Sequence, residues 1–204
     1  MVETLKVAIL GAPRVGKTAI IHQFLYNDFT ENYTPTGSRY IYRPSVIFNG
    51  NMYDMKIMDG DNSQNGSLPG PERLYLKSRG LRNTDAYVLV YDICSPESFE
   101  YVKMIRQQIQ ENRTGGSETP IIVVGNKRDQ QKQRFSPRRT LSVLVKKSWK
   151  CGYMECSAKC NWHIILLFKE LLCSALARGC KHSQSTMRLQ GLFCSLLPFQ
   201  HPGI

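Results

Sequence analysis

The chain alternates short apolar runs with segments of helical or polar pattern. Three runs, at residues 5–10, 86–93 and 121–124, are almost continuously apolar, which is typical of strands covered on both faces of a parallel sheet. Helical spacing begins at Ala19 after the first run. It begins at Ser95-Pro96 after the second, where serine is a common N-cap and proline a common first residue. This alternation predicts an α/β fold in which a mostly parallel sheet carries helices on its faces.

Other segments predict antiparallel pairing, a long loop and further helices. Two strands, from Arg39 to Phe48 and from Met52 to Asp59, are joined by Asn49-Gly50, a dipeptide that favours a two-residue hairpin turn. The segment from Gly60 to Arg73 is rich in Gly, Asp, Asn, Ser and Pro and predicts a long loop, followed by a short helix at 72–80. We expect a helix at 136–150, a short strand at 152–156 and a last helix at 161–178.

The size and composition of the chain fit one domain with a short tail. Its 204 residues are 42% hydrophobic, enough for one core of ordinary size, so we expect a domain at 1–178 and a tail at 179–204. No apolar run reaches the roughly 18 residues of a membrane span. The odd number of cysteines, seven, fits the cytosol better than a disulfide framework. The net charge of +11 indicates an anionic partner, either phosphate groups or an acidic membrane surface.

A phosphate-binding pattern stands between the first strand and the first helix. Residues 11–18 match the spacing G-x-x-x-x-G-K-[ST], in which backbone N–H groups surround a chain of phosphates. Lys17 would reach the β- and γ-phosphates, the Thr18 hydroxyl would hold Mg²⁺, and the helix start adds partial positive charge. The expected phosphate-binding residues are Gly11, Ala12, Pro13, Arg14, Val15, Gly16, Lys17 and Thr18. The alternative interpretation is a glycine-containing turn with an exposed lysine.

A second set of polar residues follows the strand at 121–124 and predicts a guanine site. Ligands of open α/β sheets bind at the carboxyl ends of the strands, where this motif and the phosphate loop both lie. Asp129 can accept hydrogen bonds from the ring N–H and the amino group of guanine, a pair that adenine does not offer. Asn126 can bridge the base and the phosphate loop, and the stem of Lys127 can cover the base. The N–H groups of Ser157, Ala158 and Lys159 can meet the guanine carbonyl oxygen. A polar strand-to-helix loop is the alternative.

These motifs resemble those of the Ras superfamily of small GTPases over residues 3–178, most closely the Ras-like family 10 subgroup. The matching positions are 11–18, Thr36, Asp59, 126–129 and 157–159. The resemblance implies a six-stranded sheet with one antiparallel strand and helices on both faces. It also implies GDP or GTP as ligand with Mg²⁺, which Thr18, Thr36 and Asp59 would hold.

The resemblance also implies catalytic residues and partners. Lys17, Thr36 and Gln64 would take part in GTP hydrolysis. Two switch segments, near Thr36 and from Gly60 to Arg73, would respond to the nucleotide. Effector proteins would dock on the first switch and on the strand from Arg39 to Phe48, whose edge can extend a partner's sheet. An exchange factor and an activating protein are expected partners of a monomeric chain.

The second switch departs from the family pattern. Where the family has Asp-Thr-Ala-Gly-Gln, this chain reads Asp59-Gly60-Asp61-Asn62-Ser63-Gln64, so the family's glycine is replaced by Asn62 and the glutamine comes one residue late. Because hydrolysis depends on a glutamine that orients water, we expect slow hydrolysis with nucleotide binding intact. The alternative is a binding-only module without hydrolysis. Pro13 and Arg14 replace two glycines, and Arg14 is either solvent-facing or an internal arginine finger.

The remaining features concern the surface and the tail. The basic run at 127–150 has only Phe135 and Trp149 near it as aromatic residues, so we expect a solvated helix face attracted to an acidic membrane surface and no nucleic-acid binding. The spacing of Cys151, Cys156, Cys160 and His163 lacks the tight pairs of zinc sites, and core or half-buried thiols are the favoured interpretation. The chain ends without a C-a-a-X cysteine, which leaves a basic, apolar tail. That tail either lies on an anionic membrane surface or is disordered, so the expected location is the cytosol or the cytoplasmic side of the plasma membrane.

Overall fold

The computed structural model describes residues 4–34, 40–59, 84–111, 119–179 and 198–199. It forms an α/β domain around one mixed sheet. The strands are β1 (Thr4–Gly11), β2 (Tyr40–Tyr42), β3 (Ser45–Phe48), β4 (Asn51–Asp59), β5 (Ala86–Asp92), β6 (Ile121–Asn126), β7 (Gly152–Glu155) and β8 (Pro198–Phe199). The helices are α1 (Lys17–Tyr26), α2 (Pro96–Glu111), α3 (Arg138–Val143) and α4 (Ile164–Gly179).

The order of the strands places the predicted motifs at one edge of the sheet. The order is β7-β6-β5-β1-β4-β3-β8, and β2 also pairs with β4. The strands from β7 to β4 are parallel neighbours, whereas β2 and β3 run antiparallel to β4. The connection from β1 leads to β4 on one side of the sheet, whereas the connection from β5 leads to β6 on the other side. Because such crossover connections are right-handed, these opposite directions place α1 and α2 on opposite faces of the sheet. The point where the direction reverses, between β1 and β5, is where such sheets bind ligands.

The fold class is confirmed, and the described part of the sheet has eight strands where six were expected. The strand predicted from Arg39 to Phe48 is divided into β2 and β3, since Pro44 has no N–H with which to continue a ladder. The tail contributes β8, which pairs with β3. The predicted hairpin is confirmed: Asn49 and Gly50 have φ values of 51° and 77°, the positive φ that this turn requires at both positions.

Aromatic side chains help to close the core on both faces of the sheet. Phe24 of α1 stacks on Phe168 of α4 with ring centroids 3.8 Å apart. Across the sheet, Phe99 of α2 stacks on Trp149 at 5.6 Å. The predicted start of α2 is confirmed, because the Ser98 N–H donates to the Ser95 hydroxyl at 3.1 Å and the helix begins at Pro96.

Two predicted helices differ from the structure in detail. The helix expected at 136–150 is α3 followed by a π-helical turn, Leu144–Ser148. The last helix begins at Ile164 rather than at residue 161, because Asn161 and His163 have φ values of 51° and 60° and Trp162 pairs with Ser157. The loop from Gly60 to Arg73, the helix at 72–80 and nearly all of the tail lie outside the described residues. Among the helices that are described, none has the length and hydropathy needed to cross a bilayer.

Candidate nucleotide-binding site

The phosphate loop is packed so closely that two of its positions require glycine. Gly11 has a φ of 156°, and a Cβ there would lie 2.2 Å from the carbonyl oxygen of Val90 in β5. Gly16 has a φ of 93°, and a Cβ there would lie 2.4 Å from the side-chain nitrogen of Asn126. The two glycines therefore let the loop touch the neighbouring strands at the point where the sheet order reverses.

Lys17 extends back over the loop that precedes it. Its ammonium group donates to the carbonyl oxygens of Gly11 at 2.7 Å and Ala12 at 2.9 Å. Lys17 is also the first residue of α1, so its charge lies beside the positive end of the helix dipole. This arrangement concentrates positive charge where the sequence predicts the β- and γ-phosphates.

Two of the three predicted metal ligands lie side by side. The Thr18 hydroxyl donates to Asp59 Oδ2 at 2.7 Å, and Asp59 is fully buried at the end of β4. A hydroxyl and a carboxylate are hard oxygen ligands of the kind that Mg²⁺ prefers, so this pair fits the predicted metal. The third predicted ligand, Thr36, and the predicted catalytic Gln64 lie outside the described residues.

Asn126 joins three predicted parts of the site. Its side-chain amide donates to the carbonyl oxygen of Val15 in the phosphate loop at 2.9 Å. Its side-chain oxygen accepts the N–H of Ala158 at 3.1 Å and the thiol of Cys156 at 3.5 Å. Asn126 itself is buried. One side chain thus holds the phosphate loop and the 157–159 loop at a fixed spacing.

Asp129 and Lys127 are held by partners in neighbouring loops. The Ser157 hydroxyl donates to Asp129 Oδ1 at 2.6 Å and accepts the N–H of Cys160 at 3.1 Å, so the carboxylate is tied to the loop that follows β7. Lys127 has a φ of 65° and its ammonium lies 2.8 Å from Asp92 Oδ2. The structure therefore brings the predicted residues of the base site together on two loops, which follow β6 and β7 and which we call the base loops.

Contacts that the sequence does not suggest connect the loop after β7 to the chain that follows α1. The Lys159 ammonium lies 2.6 Å from Glu31, and this contact lowers the pKa of Glu31 and raises the pKa of Lys159. The Asn161 amide donates to the Asn27 side chain at 2.8 Å. Both pairs are exposed, and their members are more than 100 residues apart in the chain, so no local pattern could indicate them.

Arg14 lies on the surface of the phosphate loop. It is exposed, has a φ of 66°, and its guanidinium carbon lies 5.0 Å from the ring centroid of Tyr33. Tyr33 is itself 50% exposed and stands just before the segment of the predicted first switch. Arg14 therefore packs by a cation–π contact against the chain that leads to Thr36.

A buried carboxylate behind the base loops is the main feature that sequence reasoning missed. The side chain of Glu155, at the end of β7, is fully buried and lies beside three guanidinium groups. Arg134 contacts Glu155 Oε1, while Arg128 and Arg138 approach Oε2 at 3.7 Å and 3.9 Å. Burying a carboxylate is costly unless it is paired, and these three cations compensate it.

Two tyrosines and an indole extend this cluster, which we call the Glu155 network. The Tyr153 hydroxyl donates to Glu155 Oε1 at 2.9 Å and also bonds the Tyr91 hydroxyl at 2.9 Å. Burial raises the pKa of both tyrosines well above the ordinary value. Arg128 lies over the Trp162 ring at 3.9 Å, and its N–H donates to the Cys156 carbonyl. The network therefore supports both base loops from behind.

The cysteines near this site act as packing residues and hydrogen-bond donors. Cys156 is buried, and burial raises the pKa of its thiol, whereas Cys160 is exposed. Within the described ranges, no three His, Cys, Asp or Glu side chains are grouped in a way that could hold a metal ion. The predicted core or half-buried position is confirmed for Cys156 and Cys151 and is wrong for Cys160, which is exposed.

The strand predicted to meet partners carries exposed aromatic side chains. Tyr40 of β2 is 57% exposed, and its ring lies 4.6 Å from that of Tyr42. The Tyr42 hydroxyl lies 3.0 Å from Nε2 of His22, and burial with the nearby Asp59 charge raises the pKa of Tyr42 to about 12. Exposed tyrosines are common at protein interfaces because one end of the ring is apolar and the other polar.

Comparison with known proteins agrees with this geometry. The model of the Ras family matches residues 6–177. The chain is 54% identical to Ras-like protein family member 10A of Homo sapiens over 201 residues, which is 95% of this chain and 98% of that protein. It is also 54% identical to human Ras-like protein family member 10B, over 94% of this chain and 95% of that protein. It is 35% identical to GTP-binding protein Di-Ras2 of Mus musculus, over 82% of this chain and 79% of that protein. The chain therefore belongs to the Ras family of small GTP-binding proteins.

Proposed function

We propose that this chain is a guanine-nucleotide switch that binds GDP and GTP with Mg²⁺ and hydrolyses GTP slowly. The observation that carries the proposal is the position of Asn126, which bonds the phosphate loop and the 157–159 loop at once. A nucleotide has phosphates at one end and a base at the other. A site that recognises both ends needs the two loops at a fixed distance, and Asn126 provides that spacing.

The choice of base rests on Asp129. Its carboxylate is oriented by the Ser157 hydroxyl at 2.6 Å, so it meets the edge of the base in one geometry. Guanine offers two N–H groups to that carboxylate, each hydrogen bond to a charged acceptor contributing about 1.5–3 kcal/mol. Adenine offers no such pair, so the carboxylate would lose its two hydrogen bonds to the base. We therefore expect guanine to be preferred by about 10³-fold or more.

The proposed binding of the phosphates and Mg²⁺ is supported by positive charge and by oxygen ligands. Lys17 places its ammonium over the loop, and the loop N–H groups and the start of α1 face the same region. The Thr18 hydroxyl and Asp59 Oδ2 are 2.7 Å apart and would supply oxygen ligands for Mg²⁺, with Thr36 as the proposed third protein ligand. Mg²⁺ in such sites neutralises the charge that develops on the phosphates.

Slow hydrolysis follows from the sequence of the second switch. Ras-family proteins are in general GTP hydrolases, and we assign Lys17, Thr36 and Gln64 to that chemistry here. Gln64 comes one residue late and Asn62 replaces a glycine, so a water molecule would be oriented less well while nucleotide binding is retained. The switch would signal through the segment near Thr36 and the segment from Gly60 to Arg73.

Partners and location belong to the same proposal. Effectors would dock on the first switch and on the strand from Arg39 to Phe48, where Tyr40 is exposed. An exchange factor and an activating protein would control the nucleotide state. The tail after residue 179 has two basic residues, Lys181 and Arg188, and no acidic residue, which favours an anionic membrane surface.

The base preference is the most direct test of the proposal. Titration with fluorescent GDP and ADP should give an affinity for GDP higher by about 10³-fold or more. Asp129→Asn exchanges one acceptor for a donor, so it should weaken GDP by about 10²–10³-fold and favour xanthosine diphosphate, which offers one N–H and one carbonyl. Asp28→Asn, at an exposed aspartate near α1, is the matched control and should change neither affinity. Equal binding of GDP and ADP would refute the proposal.

A further inference from the structure

The outer edge of β3 is already occupied by the chain's own C-terminal segment. β8 runs antiparallel to β3, with Phe199 opposite Ser45 and Pro198 opposite Val46. β3 otherwise pairs with β4 on its inner side, so β8 takes the side that faces away from the rest of the sheet. This is part of the strand from Arg39 to Phe48 on which we expect partners to dock.

The hydrogen-bond pattern of β3 shows which backbone groups β8 meets. The N–H of Met55 donates to the carbonyl of Pro44 at 2.8 Å, which makes Ser45 and Asp54 a non-hydrogen-bonded pair in the β3–β4 ladder. The N–H and C=O of Ser45 therefore point outward, towards β8. Pro198 has no N–H, so the Ser45–Phe199 pair is the one of the two that can exchange both hydrogen bonds.

Such a contact is weak in itself but favoured by its connection to the domain. A two-residue antiparallel pair buries little surface and forms between separate molecules only weakly, at roughly millimolar concentration. The 18 residues from 180 to 197 link it to the end of α4, and a connection of this length gives an effective concentration on the order of 1 mM. An extended segment of another protein can replace β8 only if its pairing with β3 is more favourable than the pairing of the linked β8.

We propose that Pro198–Phe199 is a built-in competitor for partners that dock by adding a strand to the edge of β3. The inference rests on the proposed function only in taking this strand as the place where effectors bind. The partner that fits is an extended peptide segment whose backbone N–H and C=O groups replace those of Phe199 at Ser45. The apparent affinity for such a segment equals its affinity for the open edge multiplied by the fraction of molecules in which β8 is not paired.

Amide hydrogen exchange at Ser45 tests the pairing in the full-length chain. Phe199→Pro removes the N–H of the Ser45–Phe199 pair and fixes a φ that an antiparallel strand does not use. We expect exchange of the Ser45 amide to become at least about tenfold faster in this variant. The Val46 amide, which faces β4 opposite Tyr53, is the internal control and should exchange as before. Phe193→Pro makes the same change elsewhere in the tail and should leave Ser45 protected.

A peptide added to the solution tests the competition. A labelled peptide with the sequence of residues 195–201 should bind Phe199→Pro more tightly than the unmodified chain, by the same factor as the change in Ser45 exchange. Equal exchange of Ser45 in the unmodified chain and in Phe199→Pro would overturn the pairing. Faster exchange without peptide binding would overturn the competition. Neither result would change the titration with GDP and ADP. Failure of the proposed competition is therefore distinct from failure of the proposed function.

Discussion

The loops of the proposed nucleotide site and the strands of the proposed partner surface are held in opposite ways. Asn126, Asp129 and Ser157 are bonded to each other's loops and are supported from behind by the buried Glu155 network. β2 and β3 present exposed side chains, and β3 is covered by a pair of only two residues. A site for one fixed ligand gains affinity from rigid, pre-formed geometry, because nothing has to be ordered on binding. A surface that exchanges partners needs contacts that are easily broken.

The largest expected effect comes from removing the carboxylate of the Glu155 network. Glu155→Leu leaves three guanidinium groups without their shared counter-ion and the Tyr153 hydroxyl without its acceptor, which should lower the free energy of unfolding by about 3–5 kcal/mol. Urea unfolding of the GDP-bound protein measures this loss. The contrasting change on the proposed partner surface, Tyr40→Ala, removes a side chain that is 57% exposed and should cost no more than about 0.5 kcal/mol. Similar losses for the two variants would remove the distinction between the regions.

An added methyl group in the phosphate loop should have the next largest effect. Gly16→Ala puts a Cβ 2.4 Å from the side-chain nitrogen of Asn126, so the bridge to Val15 has to shift. We expect GDP affinity to fall by at least about tenfold, and the unfolding free energy to fall by about 1–3 kcal/mol because of strain. Gly50→Ala is the matched control: it also has positive φ, but no atom lies within 4 Å of the new Cβ. It should cost stability through backbone strain alone and leave GDP affinity unchanged.

The smallest effect concerns the tyrosines of the network at high pH. Burial keeps Tyr91 and Tyr153 protonated well above the ordinary tyrosine pKa of about 10. Above pH 10 the folded chain therefore binds more protons than the unfolded chain, so the unfolding free energy falls as pH rises, by up to about 1.4 kcal/mol per pH unit for each buried tyrosine. Tyr153→Phe should reduce this slope in unfolding curves recorded from pH 9 to 11. At pH 7 it should cost about 1–2 kcal/mol, because two hydroxyl hydrogen bonds are lost. An unchanged slope would show that Tyr153 ionises as readily in the folded chain as in the unfolded one.

The sequence predicted those features of the molecule that depend on residues close together in the chain. The apolar runs of β1, β5 and β6 and the Asn49-Gly50 turn are local signals, and all were confirmed. The residues from Gly11 to Thr18 and from Asn126 to Asp129 follow strands directly. Their meeting at one edge of the sheet therefore follows from parallel strand order, although their roles in binding remain proposals.

The sequence did not predict contacts between distant residues. Glu155 was not predicted as important, because its role depends on Arg128, Arg134 and Arg138. These arginines lie elsewhere in the sequence and approach Glu155 only when the chain folds. The pairing of β8 with β3 joins residues about 150 positions apart. Only the proline-imposed break at Pro44 had a local signal that was missed. Thr36 and Gln64 lie outside the described residues, so their assignments stay predictions.

Phosphate release in a single turnover tests the central claim most directly. The protein is loaded with GTP by removal and readdition of Mg²⁺, and Lys17→Ala serves as the loading control, since it lacks the ammonium that lies over the phosphate loop. The account predicts that the unmodified chain retains GTP and releases phosphate slowly, on the order of 10⁻⁴ s⁻¹ or less, while Lys17→Ala fails to load. Release at the rate of an arginine-finger-assisted enzyme, or none over many hours from protein that holds GTP, would contradict it. The second outcome would make the chain a binding-only module.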